Sequence, residues 1–251
     1  MILVVEDDPR IGGPVSEALR AAGHDVRWVG AGQAAIEEAR AAPPDLILLD
    51  LGLPDLDGLE VCTVLRREHH PAVIIMMTAR GEDMDVIVGL ESGADDYVAK
   101  PFGLTVLLAR VQAHLRRAAP PGTPARVIVL GDLRMDTAAR RASLGGHEIA
   151  LRNKHFDLLE RLARDLGTAV PRSTLMAEVW DANWSGSTKT LDVHIASLRQ
   201  VLADESRRAS SLTGRPVLVP RVVTVRDVGY QLDGPRTEQQ PAGSTAPREA
   251  V

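Results

Sequence analysis

The chain has 251 residues, 45% of them hydrophobic and 25% charged, which is the composition of a globular protein with enough length for two domains. Its single cysteine excludes an intrachain disulfide framework, and its apolar runs are too short for a signal peptide or a membrane span, so we expect a cytoplasmic protein without membrane contact. Residues 1–117 carry 11 basic and 19 acidic side chains, whereas residues 118–251 carry 18 and 15. This asymmetry favours a metal-binding regulator fused to a nucleic-acid binder.

Short apolar runs alternate with amphipathic helical patterns over residues 1–117. The runs lie at 2–5, 26–29, 46–49, 73–77 and 97–99. The helical patterns lie near 12–21, 32–41, 57–67, 84–91 and 103–117. Strands that alternate with helices predict an α/β doubly wound domain with a five-stranded parallel sheet.

The second half has a different pattern. Residues 118–125 contain three prolines and one glycine, which predicts a short linker. Short strand patterns follow, then helical patterns near 153–166, 172–180 and 188–203, and finally a hairpin pattern near 217–232. This order predicts an α+β winged helix-turn-helix domain over 126–233. Residues 234–251 are rich in Pro, Gly, Glu and Gln, so we expect a disordered tail.

Five polar side chains stand at the ends of the predicted strands of the first domain: Glu6, Asp7, Asp50, Thr78 and Lys100. In open α/β sheets, ligands bind beyond the carboxyl ends of the strands. Clustered carboxylates require a cation, and Mg²⁺ prefers oxygen ligands. Asp50 can then attack phosphorus as a carboxylate nucleophile, while Thr78 and Lys100 neutralise phosphoryl oxygens. The set predicts phosphoryl transfer to Asp50, with these three residues as the catalytic group.

Five motifs in the first domain resemble the receiver domain of two-component response regulators: Val4-Val5-Glu6-Asp7-Asp8, Asp50-Leu51-Gly52-Leu53-Pro54, Met77-Thr78-Ala79-Arg80, Gly93-Ala94-Asp95-Asp96-Tyr97 and Lys100-Pro101-Phe102. The resemblance covers essentially all of residues 1–117. It implies that Asp7, Asp50 and the backbone carbonyl of Gly52 hold Mg²⁺, with Glu6 acting through water. It also implies a cis Lys100–Pro101 peptide and a switch in which Tyr97 turns inward as Thr78 moves toward the phosphoryl group.

The sequence allows two interpretations for each of three residues of this domain. Asp8 suits the start of a helix better than a metal site. Tyr97 is either the switch aromatic or an ordinary core residue. Cys62 falls in an apolar helical pattern, which favours core packing over a reactive thiol.

The pattern at 188–203 is that of an amphipathic helix with a buried stripe formed by Leu191, Ile195, Leu198 and Leu202. The other face carries small and polar residues, namely Lys189, Val193, Ala196, Ser197 and Gln200, flanked by Thr190 and Arg199. Such a helix can enter a major groove, but the pattern alone equally fits a surface helix that faces water.

Four motifs in the second domain resemble the winged-helix effector of the OmpR/PhoB family: Phe156-Asp157-Leu158-Leu159, Leu175-Met176-Ala177-Glu178-Val179-Trp180, Thr190-Leu191-Asp192-Val193-His194-Ile195 and Thr224-Val225-Arg226-Asp227-Val228-Gly229-Tyr230. The resemblance makes the helix at 188–203 the recognition helix and the hairpin at 222–232 the wing. It implies DNA contacts from Lys189, Thr190, Val193, Ser197, Arg199, Gln200 and Arg226. His194 suits a structural or phosphate-contacting role better than metal binding.

The second domain departs from the family pattern at three places. Ala196 and Ser197 stand where family members often carry arginine. Asp227 replaces the usual wing glycine and adds a negative charge near DNA. Residues 203–221 are longer than usual and arginine-rich, and we expect a surface loop there rather than an additional phosphate-contacting loop.

The resemblance also implies a symmetric dimer of phosphorylated receivers, formed by the helical patterns near 84–91 and 103–117 and the strand between them. Asp96 and Arg110 match a pair that forms ion pairs across that interface. Val86 and Val106 replace a pair that is usually Lys and Glu, so no unpaired charge is left behind. We therefore expect a more apolar and less salt-sensitive dimer interface than is typical of the family.

These features predict a DNA-binding response regulator that accepts a phosphoryl group on Asp50 from a sensor histidine kinase, dimerises and binds double-stranded promoter DNA, with RNA polymerase as a further partner. We expect no enzymatic activity beyond its own phosphorylation and dephosphorylation. One alternative is an aspartyl-phosphate phosphatase, although Gly52 stands where such enzymes carry an acid. The other is a DNA-binding protein that ignores phosphorylation.

Overall fold

The first domain is built on a five-stranded parallel sheet. The computed structural model describes residues 1–68, 72–78, 89, 92–115, 127–180 and 189–235. Its first five strands are β1 (Ile2–Val5), β2 (Val26–Val29), β3 (Leu46–Asp50), β4 (Val73–Thr78) and β5 (Asp96–Ala99). They pair in the order β2-β1-β3-β4-β5, and every pair is parallel. This confirms the doubly wound α/β prediction.

Helices cover both faces of this sheet. The helices within the described ranges are α1 (Pro9–Ala21), α2 (Gly32–Ala41), α3 (Gly58–Arg67) and α4 (Leu104–Leu115). One face packs its apolar side chains with α2 and α3, and the other packs with α1 and α4. The apolar runs of β1, β3 and β4 are buried along their whole length, as strands covered on both sides must be. Of the helical pattern predicted near 84–91, only Gly89 is among the described residues, and it is helical.

The described residues of the second domain form two small antiparallel sheets and three helices. Strands β6 (Val127–Leu130), β7 (Leu133–Asp136), β8 (Arg141–Leu144) and β9 (His147–Ile149) form one sheet in chain order. Helices α5 (Asn153–Arg164), α6 (Arg172–Val179) and α7 (Lys189–Thr213) follow. Strands β10 (Val170–Pro171), β11 (Arg221–Val225) and β12 (Gly229–Asp233) form the second sheet, with β12 in the centre. The predicted winged-helix order is confirmed.

The expectation of a loop over 203–221 is wrong, because α7 continues as a single helix to Thr213. The apolar stripe continues through Leu202 to the small side chain of Ala209, which is buried but too small to mark a helical face in the sequence. Gly214 has a φ of +68°, the left-handed conformation that commonly ends a helix. The segment from Gly214 to Pro220 is neither helix nor strand, and Arg221 begins β11.

The predicted linker, residues 118–125, lies outside the described residues, and so does the predicted tail except for residues 234–235. Within the part of the chain that the structure describes, no helix combines the length and the apolar character needed to cross a membrane.

Candidate functional site

The carboxyl ends of β1, β3 and β5 bring two acids and an ammonium group together. Lys100 Nζ donates hydrogen bonds to Glu6 Oε2 at 2.7 Å and to Asp50 Oδ1 at 2.8 Å. Glu6 and Asp50 are buried, with 1% and 6% of their surfaces exposed. Residues separated by 94 and 50 positions in the chain thus meet at one rim, as the strand-end placement predicted.

A third acid adds a solvent-exposed carboxylate to this cluster. Each of Glu6, Asp7 and Asp50 offers a carboxylate oxygen, and these three oxygens lie within 4.8 Å of one another. Asp7 is exposed. Gly52 is adjacent, since a Cβ on it would lie 3.6 Å from Asp50 Oδ2. This set of oxygen ligands, open on one side, fits Mg²⁺, which keeps several of its waters when bound.

The electrostatics of the cluster show an excess of negative charge. Burial raises the pKa of Glu6, and the nearby charge of Asp50 raises it further, while Lys100 partly opposes both effects. Burial of Lys100 disfavours its charged form, but its hydrogen bonds to Asp50 and Glu6 outweigh burial and raise its pKa. One ammonium therefore serves two buried carboxylates, and the cluster would gain from a further cation.

The backbone around Asp50 and Lys100 is closely packed. A Cβ on Gly58 would lie 2.2 Å from the carbonyl oxygen of Asp50, so only glycine fits at the start of α3. Thr78 is 2% exposed, and its carbonyl accepts a hydrogen bond from the Lys100 backbone N–H at 2.6 Å. The Lys100–Pro101 peptide is cis, as the resemblance implied.

Two further aspartates near the cluster cap helices. Asp8 is the N-cap of α1 and is not part of the acidic cluster. Hydrogen bonds from the side chain and backbone of Arg10 lower the pKa of Asp8 to about 2. Asp55 accepts hydrogen bonds from the backbone N–H groups of Gly32 and Gln33 at the start of α2. Sequence reasoning missed Asp55 because the helix it caps lies more than 20 positions earlier.

The residues predicted at the dimer interface differ in exposure. Val106 is 47% exposed, whereas Asp96 is 1% exposed. Asp96 Oδ1 accepts a hydrogen bond from Arg110 at 3.1 Å, and its Oδ2 lies 3.0 Å from His114 Nε2, both within the same chain. His114 carried no signal in the sequence. Val86 lies outside the described residues.

Tyr97 is half-buried and packs against the apolar cluster formed with α2 and α3. Its backbone N–H donates to Asp96 Oδ1 at 2.7 Å, and its carbonyl accepts from Arg110 at 3.2 Å. These contacts fit both the switch and the core interpretation of Tyr97. Cys62, by contrast, is fully buried, and burial raises the pKa of its thiol to about 11, which fits core packing.

The predicted DNA-contacting residues of α7 fall into two groups. Lys189 and Gln200 are exposed, and Ser197 is half-buried. Thr190 is fully buried, and Val193 packs against the apolar cluster of the first domain that includes Tyr97. Part of the helix face predicted to enter a groove is therefore covered by the first domain.

The covered part of α7 continues into His194, which is 1% exposed. The first domain's Asp95 and Asp96 lie near enough to act on the pKa of His194. A cavity of about 410 Å³ next to this contact is lined by Arg66 and Asp95 from the first domain and by Arg140 and Arg152 from the second. We call this arrangement, with α7 against the first domain, the closed arrangement.

Charged contacts hold α7 against the second sheet of its own domain. Arg199 donates to the Val222 carbonyl at 2.8 Å and to Thr224 Oγ1 at 2.9 Å. At the start of α7, Asp192 accepts hydrogen bonds from the Tyr230 hydroxyl and from Arg172. Arg199 thus contacts the predicted wing in this arrangement, and Asp192 joins three elements that showed no mutual signal in the sequence.

The predicted wing is the β11–β12 hairpin. Arg226 and Asp227 lie at its exposed tip. Asp227 has a φ of +59°, in the left-handed region that costs an L-residue energy and suits glycine.

Comparisons with known proteins agree with this organisation. Residues 2–112 match the family model described as a response regulator receiver domain. Residues 146–232 match the model described as the C-terminal domain of transcriptional regulatory proteins.

Individual relatives match nearly the whole chain. The sensory transduction protein RegX3 of Mycolicibacterium smegmatis is 40% identical over 236 residues, covering 93% of this chain and 99% of the relative. The DNA-binding response regulator MtrA of the same organism is 39% identical, covering 93% and 97%. The solved structure of a RitR mutant has a TM-score of 0.67 at 26% identity, covering 92% of this chain and 97% of that one.

Proposed function

Because the chain belongs to the OmpR/PhoB-type DNA-binding response regulators, we propose that Asp50 accepts a phosphoryl group from a sensor histidine kinase. An Asp50 carboxylate oxygen forms a bond to phosphorus while the phosphorus–nitrogen bond of the donor phosphohistidine breaks, and the released imidazole takes up a proton. The observation that carries this proposal is the Lys100 ammonium, which bridges Glu6 and Asp50 at the end of the sheet.

Mg²⁺ is the proposed cofactor. Asp7, Asp50 and the Gly52 carbonyl would hold it, with Glu6 acting through water, and the ion would supply positive charge to the phosphoryl oxygens. Support comes from the three clustered carboxylates and from the raised pKa of Glu6, both of which favour a bound cation.

Lys100 and Thr78 complete the proposed catalytic group. The Lys100 ammonium already contacts Asp50 and can move to a phosphoryl oxygen formed there. Thr78 ends β4 at the same rim, where its hydroxyl can reach another oxygen. Gly52 supplies no second acid to activate water, so we propose that the chain stores the phosphoryl group rather than turning over phosphate esters.

Phosphorylation is proposed to produce a homodimer that binds promoter DNA. Val106 is exposed and can pack across the dimer face with Val86. Asp96 and Arg110 pair within one chain, so an ion pair across the dimer requires them to exchange partners. In the closed arrangement Val193 packs against the first domain, so α7 must leave the first domain before it enters a groove. RNA polymerase is a further proposed partner.

The test is phosphorylation of the full chain with a small phosphodonor such as phosphoramidate, in Mg²⁺ or in a chelator. We expect intact mass spectrometry to show one phosphoryl group in Mg²⁺ and almost none in chelator. Asp50→Asn should take up none. Asp45→Asn is the matched control, because the Asp45 side chain is 71% exposed and pairs only with the N-terminus in the described contacts.

The same samples test the other parts of the proposal. We expect the phosphorylated chain to dimerise and to bind promoter fragments more tightly, with a dimer affinity less sensitive to salt than is typical of the family because Val86 and Val106 replace a charged pair. Phosphate uptake by Asp50→Asn would overturn the assignment of the acceptor. Sustained turnover of a chromogenic phosphate ester would favour the phosphatase alternative, and equal DNA binding with and without phosphodonor would favour the unregulated DNA-binding protein.

A further inference from the structure

Two histidines are buried where the two domains meet. His155, near the start of α5, and His194, on α7, are 0% and 1% exposed. Their ring centroids lie 5.8 Å apart with the planes at 78°, and His194 also lies 5.2 Å from the Trp180 ring. We call them the histidine pair. Neither ring has a partner in good hydrogen-bond geometry at either nitrogen among the described residues. An imidazole in such surroundings is held as the neutral form.

The charges around the histidine pair reinforce the neutral form. Burial is the main cause that lowers the pKa of His194 to about 3, and it lowers the pKa of His155 well below its usual range. The described charged groups that act on the pair come from α3, β5 and the start of α5, namely Arg66, Asp95, Asp96, Arg152 and Lys154. Asp95 and Asp96 favour protonation but are outweighed, and Asp96 is itself paired with Arg110 and His114 of α4.

The histidine pair belongs to the surface that covers α7. Val193, the residue before His194, packs against the apolar cluster of the receiver. The Asp96 carboxylate and the Asp95 backbone, which both act on His194, belong to the receiver, so separating the domains would give the ring new surroundings. Opening toward water would let each imidazole recover an ordinary pKa of about 6.5.

We propose that the contact between the receiver and α7 is sensitive to protons: it requires both imidazoles of the histidine pair to be neutral, and mild acid opens it without phosphorylation. This inference does not depend on the role of Asp50. Proton linkage fixes the direction of the pH effect. A histidine whose pKa is lowered in the closed arrangement stabilises that arrangement at pH values above the ordinary histidine pKa. That contribution is lost as the pH falls through and below that value.

The experiment is small-angle X-ray scattering of the full chain, without phosphodonor, at a series of pH values. Between about pH 7.5 and about pH 5.5, we expect the ratio of closed to open molecules to fall about tenfold for each histidine that must be neutral. His155→Gln and His194→Gln should each flatten this response, since glutamine does not titrate. His147→Gln is the matched control, because His147 is exposed on β9.

A measurement on the unaltered chain guards against variants that fail to close. In the imidazole NMR spectrum, we expect His155 and His194 to become protonated only together with the expansion seen in scattering. Protonation of the pair without expansion, or expansion without protonation of the pair, would overturn the proposal. So would loss of the response in His114→Gln alone, because that result would assign it to the His114–Asp96 contact.

Discussion

The acidic cluster of the receiver and the predicted recognition helix of the effector, α7, differ in what they require from the rest of the chain. The cluster is complete within one domain, since Glu6, Asp50 and Lys100 end strands of the same sheet and are linked by two hydrogen bonds. The predicted recognition helix, α7, is formed, but Val193 and His194 on it contact the receiver and are not exposed. A chemical site can thus be built by one domain, while a binding surface depends on its neighbour.

The two regions therefore have different requirements. The acidic cluster of the receiver requires positive charge. Lys100 supplies part of it, and a bound cation can supply the rest. The effector requires α7 to be fixed to its own wing, through Arg199 and Asp192, and released from the receiver. Phosphorylation and protonation, as proposed above, would act on the second requirement from different places.

Removing the ammonium should have the largest effect if the receiver site is self-contained. Lys100→Met leaves the buried Glu6 and Asp50 without their shared cation, so we expect the receiver to lose roughly 2–3 kcal/mol of unfolding free energy near neutral pH. The pKa of Glu6 is already raised, so as the pH falls this carboxyl takes up its proton earlier in the folded domain than in the unfolded chain. The loss should therefore shrink as the pH falls through the folded pKa of Glu6.

The unfolding free energy is measured by chemical denaturation followed by the NMR signal of the Trp28 indole N–H. This group donates to the Glu6 carbonyl at 2.8 Å, so its signal reports on the receiver alone. Lys189→Met, which alters an exposed lysine of α7, serves as the control and should leave that signal unchanged. Equal unfolding free energies for Lys100→Met and the unaltered chain would mean that the two carboxylates do not depend on Lys100.

The receiver site could be predicted from the sequence because parallel strands place their carboxyl ends at one edge. The positions of Asp50 and Lys100 in the site follow from the ends of their strands, and the apolar runs predicted those ends to within one residue. Asp55 could not be found, since its partners Gly32 and Gln33 are remote and an aspartate in a loop has many possible roles.

The effector was less predictable for two physical reasons. The end of α7 was missed because Ala209 is buried yet too small to continue the apolar pattern. The contacts of Val193 and His194 with the receiver were missed because helical periodicity identifies the face that packs within a domain and carries no information about a second domain. The fold of the effector could be predicted from local sequence patterns, whereas the exposure of α7 depends on the contact between the two domains.

An intermediate effect is expected where α7 is held by its own domain. Tyr230→Phe removes a hydroxyl that donates to Asp192 and accepts from Arg172 at 3.3 Å. Because both of these partners are charged and Tyr230 is 4% exposed, we expect a loss of about 1–2 kcal/mol in the unfolding free energy of the effector. Arg207→Ala, at the exposed end of the same helix, should change it by less than about 0.5 kcal/mol.

Chemical denaturation followed by the circular dichroism of the full chain measures both variants, with the effector transition assigned by the indole N–H NMR signal of Trp180. An unchanged transition in Tyr230→Phe would mean that α7 is oriented by its apolar stripe alone. In that case the contrast between the two regions would rest on the covering receiver and not on any internal positioning of the helix.

The smallest effect is expected at the tip of the wing, which neither the receiver nor α7 covers. Asp227 has a φ of +59°, so Asp227→Gly should relieve backbone strain and stabilise the effector by about 0.5 kcal/mol. It also removes a negative charge that repels phosphates, so DNA affinity should rise, most at low salt. Asp227→Asn removes the charge but keeps a side chain that tolerates the left-handed region. If Asn raises DNA affinity as much as Gly without adding stability, charge limits binding at the wing; if only Gly raises affinity, backbone strain does.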